Sequence, residues 1–168
     1  MEFTRMKMTS MFEKPVEKKT YNWRFGKRSE SKIEGINLEL EKVTRRALQL
    51  SPVDFGVTCG LRTQHEQNQL RVQGKSQIKH SRHQDGMAVD VVAYEGSRIT
   101  WDLDKYITIA QAFAEAAREL NVTIRWGGAW THYLNDNDAK AAHEAYVSLR
   151  KSQGRRPFID GPHFEIPK

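Results

Sequence analysis

The sequence contains a single cysteine, Cys59, in 168 residues. One thiol excludes an intramolecular disulfide and any metal site built from several thiolates, so a bound metal would have to rest on histidines and carboxylates. No apolar run approaches the roughly 20 residues that a membrane-spanning helix needs. The amino terminus alternates charges with isolated Met and Phe and shows no apolar signal-peptide block, which predicts a protein without a transmembrane segment, made and held in the cytoplasm. There are no internal repeats. Against these absences stand 38% hydrophobic and 10% aromatic residues, enough for a packed interior and against wholesale disorder. The length suits one domain with one sizeable core.

The formal charge of +6 is unevenly spread. Residues 1 to 32 hold nine basic and four acidic side chains, a surplus of five, whereas the remainder is nearly balanced at 18 against 17. The basicity therefore belongs to an amino-terminal arm, which is either a solvated tail or an attractor for a polyanion such as nucleic acid, anionic lipid or an anionic wall polymer. A nucleic-acid-binding module is the rival that the calculated pI of about 9.5 suggests. It is disfavoured because outside the arm the charge balances and no helix carries a one-sided basic stripe.

Up to about Ser31 there is no sustained periodicity, and the arm is expected to be extended and flexible, with the domain proper from residue 25 to 168. Ile36, Leu40, Val43, Ala47 and Leu50 recur at helical spacing behind a cap at Asn37, ending before Pro52. Phe55 to Cys59 reads as a short buried strand, and Thr63 with Glu66 has capping-box spacing for a second helix to about Val72. Met87 to Tyr94 is a strong strand signal. Asp102 caps the longest helix, which Asn121 ends; a strand from Val122 to Trp126, a helix from Asp138 to Arg150 and a last strand from His163 to Ile166 follow. This order predicts an α+β fold, a small, mainly antiparallel sheet flanked by helices, with the site at the sheet edge.

The densest polar cluster runs from Ser81 to Asp90, where a loop turns into a strand. His83 and Asp90 converge if Gly86 permits the sharp turn between them, and an Asp inside an apolar strand demands a partner. A divalent metal is one such partner; a neighbouring Arg or His is another. The carboxyl end, Asp160-Gly161-Pro162-His163-Phe164-Glu165, supplies a second imidazole. Two histidines and a carboxylate with an open fourth position describe a catalytic metal site rather than a closed structural one. Asp160 can stand near such a metal as general base, with Glu165 its competitor; two residues from His163 on a strand, Glu165 can instead orient that ligand from behind.

The pattern Ser81-x-His83-x-x-Gly86-x-Ala88-x-Asp90 followed by Asp160-x-x-His163 resembles the zinc peptidases of bacterial cell walls. That family includes the vancomycin-resistance D,D-dipeptidases, the D-Ala-D-Ala carboxypeptidases and the L-alanyl-D-glutamate endopeptidases that tailed phages use as endolysins. The segments Phe25 to Glu30, Ala47 to Phe55, Gly60 to Thr63 and Arg125 to Trp130 are similar to the phage branch. The resemblance spans about residues 25 to 168. It implies that His83, Asp90 and His163 hold Zn2+, that Asp160 is the general base and that Arg62 stabilises the oxyanion. A permanently charged guanidinium suits that last task.

Ser81 matches the motif serine and either bonds substrate or fixes the loop, and Trp126 and Trp130 are candidates to wall the cleft. Asn135 to Asp138 is oxygen-rich enough for calcium but fits no standard loop, and a helix-capping turn is the simpler reading. The implied substrate is peptidoglycan, cut at a stem-peptide bond, L-alanyl-D-glutamate in preference to D-Ala-D-Ala, by a monomer released from the host cytoplasm to the wall. A wall-binding domain without activity is a further alternative, against which the complete set of ligands and base argues. Metal affinity is expected to fall on acidification through the ordinary histidine range near pH 6.5.

Overall fold

The structure is a computed structural model and describes residues 17–168. Most of the basic arm therefore lies outside the described residues. Its described part runs against the body of the protein: Tyr21 N donates to Gln49 O at 2.7 Å, Trp23 Nε1 donates to Ser51 O at 3.0 Å and Lys18 pairs with Glu119 at 2.9 Å.

Five α-helices and a five-stranded antiparallel sheet form the described residues. Helix α1, Lys27–Ile33, stands where the sequence predicts extended chain. At 7 residues, with only Ser29 and Ile33 buried, it is too short to show a hydrophobic period. Helix α2, Leu38–Leu50, starts as expected, with Asn37 Oδ1 accepting from Glu39 N and Leu40 N. Strand β1, Phe55–Cys59, precedes α3, Gln64–Val72, which opens on the reciprocal Thr63–Glu66 capping box.

Strand β2, Ala88–Glu95, turns at Gly96 (φ 60°) into β3, Arg98–Thr100, an exposed ribbon that the sequence does not predict. Helix α4, Leu103–Leu120, is capped by Asp102 and stopped by Asn121 in the left-handed region at φ 53°. Only Arg125–Trp126 of the expected third strand pair, as β4. Helix α5, Ala139–Ser152, and β5, His163–Glu165, complete the chain.

The strand order is β1-β2-β5-β4, with β3 also paired to β2. Alternation along β2 sends Val89, Val91 and Ala93 into the core with Phe55, Val57 and Phe164, where α2 and α4 cover them. Phe164 stacks on Phe113 of α4 at 3.9 Å between ring centroids. Burial of each such ring contributes about 1.5–3 kcal/mol. The opposite face of the sheet carries Asp90, Val92 and Tyr94, together with His163 and Glu165, and it is here that polar chemistry collects.

Candidate active site

Register brings the site together. Cys59 pairs with Asp90 across β1 and β2, and Asp90 pairs with His163 across β2 and β5, so three polar side chains form one row across three strands. Cys59 joins that row because the pairing shifts between Val57 and Cys59. This bulge inserts Thr58 and reverses the alternation that would have turned the thiol to the core.

His83 arrives from a short 3-10 turn, Arg82–Asp85, which Ser81 opens by accepting from His83 N while Gln84 Oε1 accepts from Ser81 N. Gly86 closes it at φ 69°, a left-handed conformation that a side chain would strain. The turn predicted from Gly86 is thus present, and it delivers His83 to Asp90.

Asp90 Oδ1 lies 3.1 Å from His83 Nε2 and 3.1 Å from His163 Nδ1. The far nitrogen of each ring is already committed. His83 Nδ1 donates to Gly60 O at 2.8 Å, and His163 Nε2 donates to Glu165 Oε2 at 2.9 Å. Those bonds occupy the far nitrogens, so the nitrogen of each ring that faces Asp90 is the one a metal would take once its proton is lost.

Glu165 is itself held by Arg125, whose Nε donates to Oε1 at 2.9 Å and whose Nη2 donates to the same oxygen. Two imidazole nitrogens and one carboxylate oxygen converging in this way suit a divalent cation. Cys59, His83 and Asp90 also bring ligand atoms within 4.8 Å of one another. The thiol, however, lies at the Nδ1 edge of His83, 3.6 Å away, on the side that bonds Gly60.

The electrostatics follow from the same contacts. Burial opposes charge on both imidazoles, but hydrogen bonds to Asp90 outweigh it, raising His83 to about 10 and His163 to about 9. Asp90 is driven far below the ordinary carboxylate range by those two rings despite its burial. Burial likewise opposes the Glu165 charge, which hydrogen bonds from His163 and Arg125 restore. Asp160 moves the other way: burial, and then the negative charge of Asp90, push its carboxyl above the usual value.

Asp160 is placed by backbone alone. Asp160 N donates to Gly127 O at 2.9 Å, His163 N donates to Asp160 O at 3.1 Å and Gly127 N donates to His163 O at 2.8 Å. A Cβ on Gly127 would stand 2.2 Å from Asp160 O, so only glycine admits this turn.

Arg62 crosses the other side of the site. Its Nη2 is 3.7 Å from Asp90 Oδ2 and donates to Cys59 Sγ at 3.3 Å, while Nη1 donates to Gln67 Oε1 at 2.9 Å and Ser81 Oγ at 3.5 Å. The guanidinium is thus clamped with its charge toward Asp90.

Other expected residues fall elsewhere. Trp126 is wholly buried, its Nε1 donating to Gly161 O at 2.7 Å, so it braces the turn between Asp160 and His163 and offers no surface to a substrate. Trp130 is the tryptophan that borders the site, with its ring 5.3 Å from that of His163. Ser81 is buried and spent on the turn. In the Asn135 to Asp138 segment, Asn135 braces the backbone at Val122 and Ile124, and Asp138 caps α5. The locks supplied by Gly60 O, Gln67 and Gly127 are not evident from the sequence. Only the Gly127-Gly128 pair gives a signal there, and it reads as a strand stop.

Residues 21–166 match the family model described as phage L-alanyl-D-glutamate peptidase. The L-alanyl-D-glutamate peptidase of Escherichia phage T5 is 38% identical over 113 residues, which cover 65% of this chain and 82% of that protein. The crystal structure of Serratia marcescens L-Ala D-Glu endopeptidase ChiX superposes with a TM-score of 0.67 at 33% identity, covering 87% of this chain and 92% of that one. A half-buried carboxylate between two imidazoles, each held from behind, on a fold and sequence shared this widely, makes the chain a member of the phage L-alanyl-D-glutamate peptidase family.

Proposed function

We propose that this protein is a zinc-dependent endolysin that hydrolyses the L-alanyl-D-glutamate bond of peptidoglycan stems. His83 Nε2, Asp90 Oδ1 and His163 Nδ1 hold the ion. The carrying observation is that these three atoms face one another while every opposite ring nitrogen is engaged. When bound, zinc supplies a Lewis acid that polarises the scissile carbonyl and makes water nucleophilic near neutrality.

The chain's own residues then divide the work. Asp160 Oδ takes the proton from the attacking water and returns it to the leaving amine nitrogen. Arg62, fixed by Gln67 and Ser81, faces the negative charge that develops on the carbonyl oxygen. Glu165 keeps His163 in the tautomer that presents Nδ1.

No helix among the described residues is long and apolar enough to cross a membrane. We place the protein, as a monomer, in the host cytoplasm until the membrane is breached and the wall becomes accessible. Digestion of purified sacculi tests the bond. New amino-terminal D-glutamate is expected, whereas release of free D-alanine would reassign the protein to carboxypeptidase chemistry. Loss of cleavage on chelation and its return with zinc tests the metal.

A further inference from the structure

The sheet face that carries Asp90 does not end at the metal ligands. Further along β2 the same alternation places Val92 and Tyr94, and from Asp90 to Tyr94 the strand covers about 13 Å. There the face sinks into a cavity of about 190 Å³, walled by Arg24 and Arg28 and bordered by Asp54, Thr58 and Tyr94.

Three features set this cavity apart from a packing fault. Arg24 and Arg28 are exposed at its rim and form no ion pair or side-chain hydrogen bond among the described residues, so two guanidiniums border the cavity against the single carboxylate of Asp54. Tyr94 Oη likewise has no hydrogen-bond partner among the described residues. Its phenol lies over Gly56, where a Cβ would meet Tyr94 Oη at 2.9 Å and Ser29 Oγ at 3.0 Å, so the glycine leaves the room that the phenol occupies. Finally, the cavity lies on the strand pair that carries the site: Thr58, which lines it, donates through Oγ1 to the backbone carbonyl of Asp90 at 3.3 Å.

We infer that this cavity is a subsite for a free carboxylate of the substrate's peptide, beyond the cleaved bond on its carboxyl side. The inference rests on the peptidase reading above. Two guanidiniums against one carboxylate, with a phenol O–H beside them, favour an anion, and the arginine fork matches a carboxylate bidentately. On the amino side of an L-alanyl-D-glutamate bond the alanine is acylated by the glycan and offers no free acid. On the carboxyl side the stem continues through acid-bearing residues to a terminal carboxylate. An extended peptide advances roughly 3.3 Å per residue, so a span near 13 Å reaches the distal residues of a short stem. The cavity therefore orients the stem along β2, with its acidic end away from the zinc ligands.

Three synthetic acyl-L-alanyl-γ-D-glutamyl substrates test this with the full-length, zinc-loaded protein. One carries free carboxylates beyond the glutamyl residue, a second has those carboxylates amidated and a third ends at the glutamyl residue. The parent should cleave the acid with kcat/KM at least roughly tenfold above the amide, through KM, the range expected for charge-assisted hydrogen bonds. The Arg24→Gln/Arg28→Gln double variant should lose that preference and cleave the truncated substrate as the parent does. The subsite is overturned if the parent treats acid and amide alike or if the double variant keeps the preference. It is equally overturned if the double variant slows on the truncated substrate too, since the arginines would then serve the fold. A parent that cleaves none of the three sinks the peptidase reading itself, and the subsite with it.

Discussion

Replacing Glu165 by Gln removes one charge and keeps the shape, and the structure says why that small change should weaken metal binding. The carboxylate is buried at 3% residue exposure and works on both sides: Oε2 accepts from His163 Nε2 and Oε1 accepts from Arg125. A glutamine offers one oxygen and one NH2 to these two donors. If the oxygen meets Arg125, the NH2 confronts the N–H of His163. The neutral ring, the form that binds zinc, then favours its proton on Nδ1, the atom that faces Asp90 and has to be bare to take the ion. If the oxygen meets His163, Arg125 loses its acceptor and faces an amide donor instead.

Loss of such an outer partner typically costs about 10- to 100-fold in metal affinity, or about 1.4–2.7 kcal/mol. Competition of the Glu165→Gln variant against a chromophoric zinc chelator at neutral pH measures this directly. Turnover should recover substantially when zinc is raised to saturate the variant. Parental zinc affinity in the variant would refute the tautomer argument, and with it the assignment of His163 Nδ1 as the ligand atom.

Asp160→Asn should keep the parental zinc affinity while turnover on sacculi falls by about 10²- to 10⁴-fold, the usual contribution of a general base; parental lysis would remove Asp160 from that role. Gly127→Ala must push Asp160 O away from a 2.2 Å approach, and a displacement near 1 Å at the base should cost about 100-fold in kcat/KM, read beside a thermal melt. His83 and His163 stand at about 10 and about 9, above an unfolded value near 6.5. The stability they give the metal-free protein is therefore complete below about pH 6.5 and is lost as pH rises through 9 to 10. Melting of the chelated protein should fall over that upper range. Because zinc must displace both protons, its apparent affinity should climb by up to about 100-fold per pH unit below about 9; a flat profile would contradict the shared Asp90 contact.

What the sequence reveals best is what is repeated or capped. Helix α2 announces itself through five apolar residues at helical spacing and Asn37, and α4 through Asp102 and Asn121. Helix α1 and strand β3 are too short and too exposed to carry a period, so their existence depends on tertiary contacts, such as Ser29 Oγ accepting from Val57 N at 3.0 Å. For the site, the paired motifs and the family they resemble point to His83, Asp90, Asp160 and His163; of these only Asp90 sits inside a long apolar strand, where an unpaired charge is costly. What orients them is mostly backbone: Gly60 O on His83 and the Gly127 turn on Asp160. A carbonyl has no residue letter, so these locks leave almost no trace in the sequence. Trp126 misleads for a related reason, since its position beside the motif is real but its ring points into the core.

The link between core and chemistry is tighter than a shared fold requires. In β5 the residues alternate as His163, Phe164 and Glu165, and register pairs them with Asp90, Val89 and Ala88. Phe164 is sealed between Phe113 at 3.9 Å and Trp126 at 6.3 Å between centroids. A slip of one residue would turn that ring out to water and force His163 and Glu165 into an apolar interior, where neither would find a partner. The aromatic stack therefore holds the register in which His163 meets Asp90. An apolar residue that touches no substrate specifies the metal site, and a Phe164→Ala variant should lose zinc affinity along with stability, because the strand is then free to shift.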